Sequence, residues 1–163
     1  IFTPKSMLRN RQAVSMPADF TSGSWRPVLP DPTIEDPSKV TSVILCSGKV
    51  RWDLIARRGQ ADKDGSVAII PLERLYPLPA KQLAHQLASF TNVQEVRWVQ
   101  DEPANQGAWP FMALNLPVAL AELLPGRDWS LKPVARPASS APSVGSAKVH
   151  EVQQRTLLHE AFA

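Results

Sequence analysis

The chain has one cysteine, Cys46, one tyrosine, Tyr76, only seven glycines and no long hydrophobic run. A single thiol cannot form an internal disulfide, which excludes a disulfide-stapled secreted scaffold. No stretch approaches the roughly 18 apolar residues that a helical membrane span requires. The first residues lack the apolar segment of a signal peptide, and the chain opens on Ile1, so it reads as a piece of something longer. Neither sign of charge dominates: 18 Lys and Arg against 15 Asp and Glu leave a net charge of +3. A pI near 9.3 invites a nucleic-acid partner, yet the cations are scattered apart from Lys5, Arg9 and Arg11, and Arg57 beside Arg58. No zinc-finger spacing or ribonucleoprotein motif accompanies them, so nucleic acid is the minor reading. What is present is enough apolar material for a core, 44% of 163 residues, with 20% charged. That composition fits one ordinary domain with a tail or linker and excludes disorder throughout.

Sixteen prolines divide the chain unevenly. Residues 1–3 read as the end of a strand, with Thr3 a cap and Pro4 the first position of a short helix over 5–11. Pro17, Pro27, Pro30, Pro32 and Pro37 then forbid a long helix or central strand, so 16–38 reads as an extended connector that must lie on another surface. The expected division is therefore a connector over 1–38, entering from a preceding domain, and a domain over 39–163. From Lys39 onward strands alternate with helices. The apolar, β-branched run 40–46 reads as a buried strand, followed by helix 49–61, strand 66–71 and helix 80–90. Residues 93–100 alternate as a part-exposed strand. An apolar segment over 109–124 is expected to kink or divide at Pro117, and 129–136 is expected to be the fourth strand, with a closing helix over 147–162. The pattern predicts an α/β three-layer sandwich with a mostly parallel sheet.

Chemistry is sparse in this pattern. Ser47-Gly48-Lys49 sits between strand and helix but lacks the first glycine and the final hydroxyl of a phosphate loop; Ser47 reads as a helix cap and Gly48 as a turn. Asp62-Lys63-Asp64-Gly65 lacks the later ligands of a calcium loop and reads as a solvated turn. His85, His150 and His159 are too far apart in sequence for a metal motif, and His150 is the one placed to matter. Cys46, inside an apolar strand, reads as inert. Asp101 and Glu102 point apart at a strand end, which favours a structural or interface role over acid–base work.

Six blocks carry more information than their physics does: TPKSMLR (3–9), LCSGKV (45–50), VAIIPLERLYP (67–77), WVQDEPANQGAWP (98–110), RPASSAP (136–142) and GSAKVH (145–150). In this order they resemble the C-terminal end of the decarboxylating component of 2-oxoglutarate dehydrogenase, and the 98–110 block looks most like actinobacterial members. The resemblance covers nearly the whole chain. It implies a transketolase-like C-terminal domain of a bacterial, cytoplasmic homodimer that decarboxylates 2-oxoglutarate on thiamine diphosphate and passes the succinyl unit to a lipoyl-bearing succinyltransferase component. Cofactor and Mg2+ would lie in upstream domains of the same chain, because no G-D-G followed by a metal-binding asparagine occurs here. The share of this region would be structural, with no catalytic or cofactor-binding residue of its own and no metal. Trp98, Asn105, Gln106, Gly107, Trp109 and Phe111 would form an interface. Acetyl-CoA, by the same resemblance, would be a regulatory ligand of Arg9, Arg11, Ser15 and Lys81, with Lys5 one helical turn from Arg9. Departures are Arg51-Trp52 in place of a tyrosine pair, Pro71 in place of arginine, and Ala80-Lys81-Gln82 in place of an arginine-rich run. The rival reading is a stand-alone nucleotide- or nucleic-acid-binding α/β module, which an upstream frame carrying G-D-G…N would exclude.

Overall fold

The computed structural model describes residues 3–62 and 64–163. Ile1 and Phe2 of the expected strand end, and Lys63 of the aspartate turn, lie outside them. Four strands, β1 (Ser42–Cys46), β2 (Val67–Pro71), β3 (Glu95–Pro103) and β4 (Leu131–Arg136), form one sheet in the order β2-β1-β3-β4. All pairings are parallel. Such a sheet must be covered on both faces, and the strands accordingly read as continuous apolar runs. Val43, Ala68 and Val96 stand side by side on one face, Ile44, Ile69 and Arg97 on the other.

Among the described residues there are five α-helices, α1 (Ala18–Thr21), α2 (Val50–Ala61), α3 (Ala80–Leu87), α4 (Trp109–Leu123) and α5 (Ala147–Glu160), and two short 3-10 helices. On the face of Val43, Leu45 and Trp98, α3 contributes Leu83 and Leu87, and α4 contributes Met112, Leu116 and Leu120. On the opposite face Ile44, Cys46 and Val99 meet Val50 and Leu54 of α2 and Leu157 of α5. The three layers are thus α3–α4, sheet, and α2–α5. The chain passes from β1 through α2 to β2 on one side of β1 and then through α3 to β3 on the other side, so the strand order reverses between β1 and β3. In open parallel sheets the carboxyl ends at that reversal form the crevice where functional groups gather.

Several local expectations are corrected. Thr3 caps nothing: the first helical turn is a 3-10 segment, Lys5–Arg9, without a side-chain cap. Three residues per turn put Ser6, not Lys5, in line with Arg9. Ser47 does not cap α2 either; Lys49 holds the cap position with helical backbone, while Gly48 makes the turn at φ 74°. β3 is longer than expected, and Val96 to Gln100 are all buried because β1 and β4 flank it and helices cover both sides. α4 runs through Pro117 undivided. Pro117 and Ala113, whose carbonyl the ring deprives of a donor, both line a shallow, solvent-open cavity where water can reach that carbonyl.

The two edges of the sheet are treated differently. Along β2 the proline-rich connector docks by the Val28–Leu72 bridge, with Leu29 N–H donating to the Pro71 carbonyl at 3.0 Å and Glu73 N–H to that of Pro27 at 2.9 Å. Asp31 seals this edge: its carboxylate, 3% exposed, pairs with Arg58 of α2 and accepts from the Ile69 N–H at 2.8 Å. Burial pushes the Asp31 carboxyl up, but the bonds from Arg58, Ile69 and Thr33 outweigh it and hold the group below its ordinary value. At the other edge β4 exposes Lys132 and Pro133, residues that discourage pairing with a further strand.

Candidate functional site

Strand alternation at the end of β3 sends Trp98 and Gln100 toward α4, and Asp101 toward α2 and α5. Gln100 is 3% exposed and fully used. Its Oε1 accepts from Trp98 Nε1 at 2.9 Å and from the Trp109 N–H at 2.8 Å. Its Nε2 donates to the carbonyls of Gln106 at 2.8 Å and Pro103 at 3.1 Å. One amide thereby closes the 98–110 loop onto the start of α4. Gly107 must be glycine there: φ is 67°, and a Cβ would lie 2.9 Å from that of Glu102 and 3.0 Å from Gln100 Nε2. The loop in turn holds the next one, because Asn105 exchanges two bonds with the Ser139 backbone, at 2.9 and 3.0 Å, and Gln106 adds a third at 2.8 Å.

On the other side of the strand end lies a ring of charges. Lys49, at the turn after β1, reaches Asp101 at 2.9 Å and Asp53 at 3.5 Å. Gln154 of α5 donates to Asp53 at 3.1 Å and accepts from Arg136 of β4 at 2.6 Å. Arg136, 5% exposed, also donates to His150 Nδ1 at 2.9 Å. It stands 3.6 Å from Asp101 Oδ1, an oxygen without a hydrogen-bond partner, as Arg136 Nε is without an acceptor. Burial pulls the Lys49 ammonium down, yet Asp101 and Asp53 outweigh it and hold the group above the ordinary lysine value. Two cations face two carboxylates, so the ring ties β1, α2, β3, β4 and α5 together at the crevice. Four of the six sequence blocks meet here, through Lys49, Asp101, Arg136 and His150.

A second tie lies at the opposite end of the same face. Arg97, 5% exposed, donates to the Ala161 carbonyl at 2.7 Å, to the Ala163 oxygen and to Glu95 at 2.6 Å. It holds the end of α5 against the sheet, and its hydrogen bond keeps the Glu95 carboxyl below its ordinary value.

The remaining sequence candidates fall in different places. Trp98 is 1% exposed and belongs to the core, so it presents no surface to a partner, which corrects its place among the interface residues. Trp109 and Phe111 are half-buried against the same core, and Asn105 and Gln106 spend their amides inside the chain. Arg9, Arg11, Ser15 and Lys81 are all exposed, and no hydrogen bond or ion pair joins them among the described residues. His85 and His159 are exposed on α3 and α5. Asp62 is taken up by the backbone N–H groups of Ser66 and Val67, both at 3.0 Å. Cys46 is fully buried, and burial pushes its thiol up to about 12. Sequence reasoning missed Gln100, Arg136 and Gln154. For Gln100 a signal existed: a lone amide two residues after a tryptophan, on the same face of an apolar strand. The ring gave none, because bonded partners in it, Asp53 and Gln154, lie 101 residues apart.

The charged ring at the crevice does not form a seat for a diphosphate and its metal. Lys49 and Arg136 are already engaged by carboxylates, and among the described residues no three His, Cys, Asp or Glu side chains are placed to hold a metal ion. No helix among them is long and apolar enough to cross a membrane.

Residues 14–162 match the family described as 2-oxoglutarate dehydrogenase C-terminal. The chain is 50% identical over 167 residues to the multifunctional 2-oxoglutarate metabolism enzymes of Mycobacterium sp. strains KMS and MCS, covering all of this chain and 13% of each relative. The enzyme of the same name from Mycolicibacterium vanbaalenii is 48% identical over 166 residues, again 13% of its length. Among solved structures, a split-gene transketolase described as an inactive beta4 tetramer is similar over 74% of this chain and 38% of that one, at 13% identity and a TM-score of 0.48. The stand-alone nucleotide- or nucleic-acid-binding module is set aside by the family match.

Proposed function

Because the chain belongs to the 2-oxoglutarate dehydrogenase C-terminal family, we propose that it is the C-terminal domain of a bacterial, cytoplasmic enzyme that decarboxylates 2-oxoglutarate and transfers the succinyl unit to a lipoyl group. The observation that carries this is identity at the 50% level along the entire chain, to relatives of which it spans about an eighth. When bound, thiamine diphosphate with Mg2+ supplies the carbanion chemistry, and its seat is in upstream domains of the same chain. This domain's part is mechanical. Gln100 and the charged ring hold the carboxyl end of the sheet rigid, and the 98–110 loop with the start of α4 presents Gly107, Trp109 and Phe111 toward the rest of a homodimer. Residues 1–38 form the connector from the preceding domain. The test is 2-oxoglutarate consumption by the full-length protein with thiamine diphosphate, Mg2+ and a lipoyl acceptor. Failure to consume it overturns the reading.

Acetyl-CoA regulation belongs to the same proposal. Guanidinium groups grip phosphate oxygens in a fork, and Arg9, Arg11 and Lys81 are exposed and available for it. A bound effector activates only if it favours one state over another. Activation of the full-length enzyme is expected in wild type and weaker in Arg9→Ala; equal activation in both removes the site. Trp109→Ala is expected to weaken the dimer, and a variant that sediments as wild type removes the interface.

A further inference from the structure

A groove of about 780 Å³ runs between α2 and α5, lined by Arg57 from the first helix and by His150, Glu151, Arg155, Leu158 and His159 from the second. It involves none of Arg9, Arg11, Ser15 or Lys81, and lies apart from the 98–110 loop. Its volume is that of a small-molecule pocket, which ranges over roughly 300–1,000 Å³. Most of its surface is apolar, and Arg57, His150, Arg155 and His159 bring hydrogen-bond donors to it. Neither Arg57 nor Arg155 has a carboxylate partner among the described residues, and Arg57 makes only a bond to Gln60 Oε1 at 3.2 Å. His150 is held in one tautomer: Arg136 can only donate, so the 2.9 Å contact makes Nδ1 the acceptor and leaves the proton on Nε2. Lys49, Asp53, Asp101 and Arg136 behind the groove balance one another and leave the two arginines uncancelled. Against these stands one carboxylate in the lining, Glu151, while Leu158 gives the groove an apolar patch.

We propose that this groove binds a phosphate-bearing small molecule of up to nucleotide size. Two guanidinium forks and a fixed imidazole N–H suit a group with several anionic oxygens better than a planar carboxylate with two. The apolar patch of Leu158 suits the non-phosphate part. This goes beyond the proposed function and does not depend on it.

Hydrogen–deuterium exchange on the full-length protein tests the inference, with inorganic tripolyphosphate as the probe and succinate at matched ionic strength as the control. Tripolyphosphate is expected to protect amides of 56–61 and 150–159, and succinate to leave them unchanged. In the double variant R57E/R155E the concentration for half-protection is expected to rise at least about tenfold, since two charge-assisted bonds are lost. Arg155→Gln, an exposed change that leaves the helix pairing intact, is expected to show a smaller rise, so a defect of packing in the double variant does not decide the matter. Unaltered exchange in β1 and β3 certifies the fold of each variant. No protection of these segments, equal protection by succinate, or half-protection unchanged in Arg155→Gln would overturn the proposal.

Discussion

At the scale of single residues, the 98–110 loop hangs on one amide and one missing side chain. Replacing Gln100 with alanine strands the Trp98 indole N–H, the Trp109 N–H and two carbonyls in a largely buried region. A buried group left unpaired costs about 1–3 kcal/mol, so Gln100→Ala is expected to lose about 3 kcal/mol in a urea titration. Gly107→Ala is expected to lose about 2 kcal/mol, because the new methyl meets Glu102 and Gln100 at a left-handed backbone position. A loss below about 0.5 kcal/mol in either variant would show that the loop closes by other means. Cys46 reports on the core of the opposite face: buried and held as a thiol, it is expected to react with an alkylating reagent only as fast as the sheet opens.

At the scale of elements, the connector behaves as a fifth, irregular strand along β2, and Asp31 is its fastening. Asp31→Ala leaves the Arg58 guanidinium and the Ile69 N–H without their carboxylate and is expected to destabilise the protein by about 3 kcal/mol. The same contact predicts a pH dependence. The carboxyl is held below its ordinary value in the folded chain, so its stabilisation is complete above the ordinary carboxylate range and is lost as pH falls through the lowered folded value. Asp31→Asn is therefore expected to start less stable at pH 7 and to lose less on acidification than wild type. Urea midpoints at pH 7, 5, 4 and 3 check this, and parallel acid profiles would refute it. Most elements were legible beforehand, since strands β1 and β2 and helices α2 and α3 announce themselves by β-branched runs and apolar stripes. The continuity of α4 was not, because whether an interior proline interrupts a helix depends on its surroundings in the fold, which no local pattern encodes. The caps at Thr3 and Ser47 failed because the chain there turns without using its side chains.

Over the whole molecule, the layers and the parallel sheet followed from the alternation of strand and helix, whereas the charged ring did not. Lys49, Asp101, Arg136 and Gln154 become neighbours only once the sheet order is known, and no local pattern encodes that. The ring makes the fold cooperative from end to end. Arg136→Ala removes the partner of His150 and Gln154 and leaves Asp101 with Lys49 alone, an expected loss of about 3 kcal/mol. For a chain of this size that corresponds to roughly 6–12 °C in melting temperature. A shift below about 2 °C would show that the ring is peripheral to stability.

The fastening at Asp31 also bears on how the protein is made. Asp31 precedes Ile69 by 38 residues, so at about 5–20 residues per second the ribosome releases the cover roughly 2–8 s before the strand edge that it shields. A nascent parallel strand is a template for any passing chain, and β2 meets its own guard as soon as it emerges. The other edge strand, β4, has no such cover among the described residues, and it is the one that exposes a lysine and a proline.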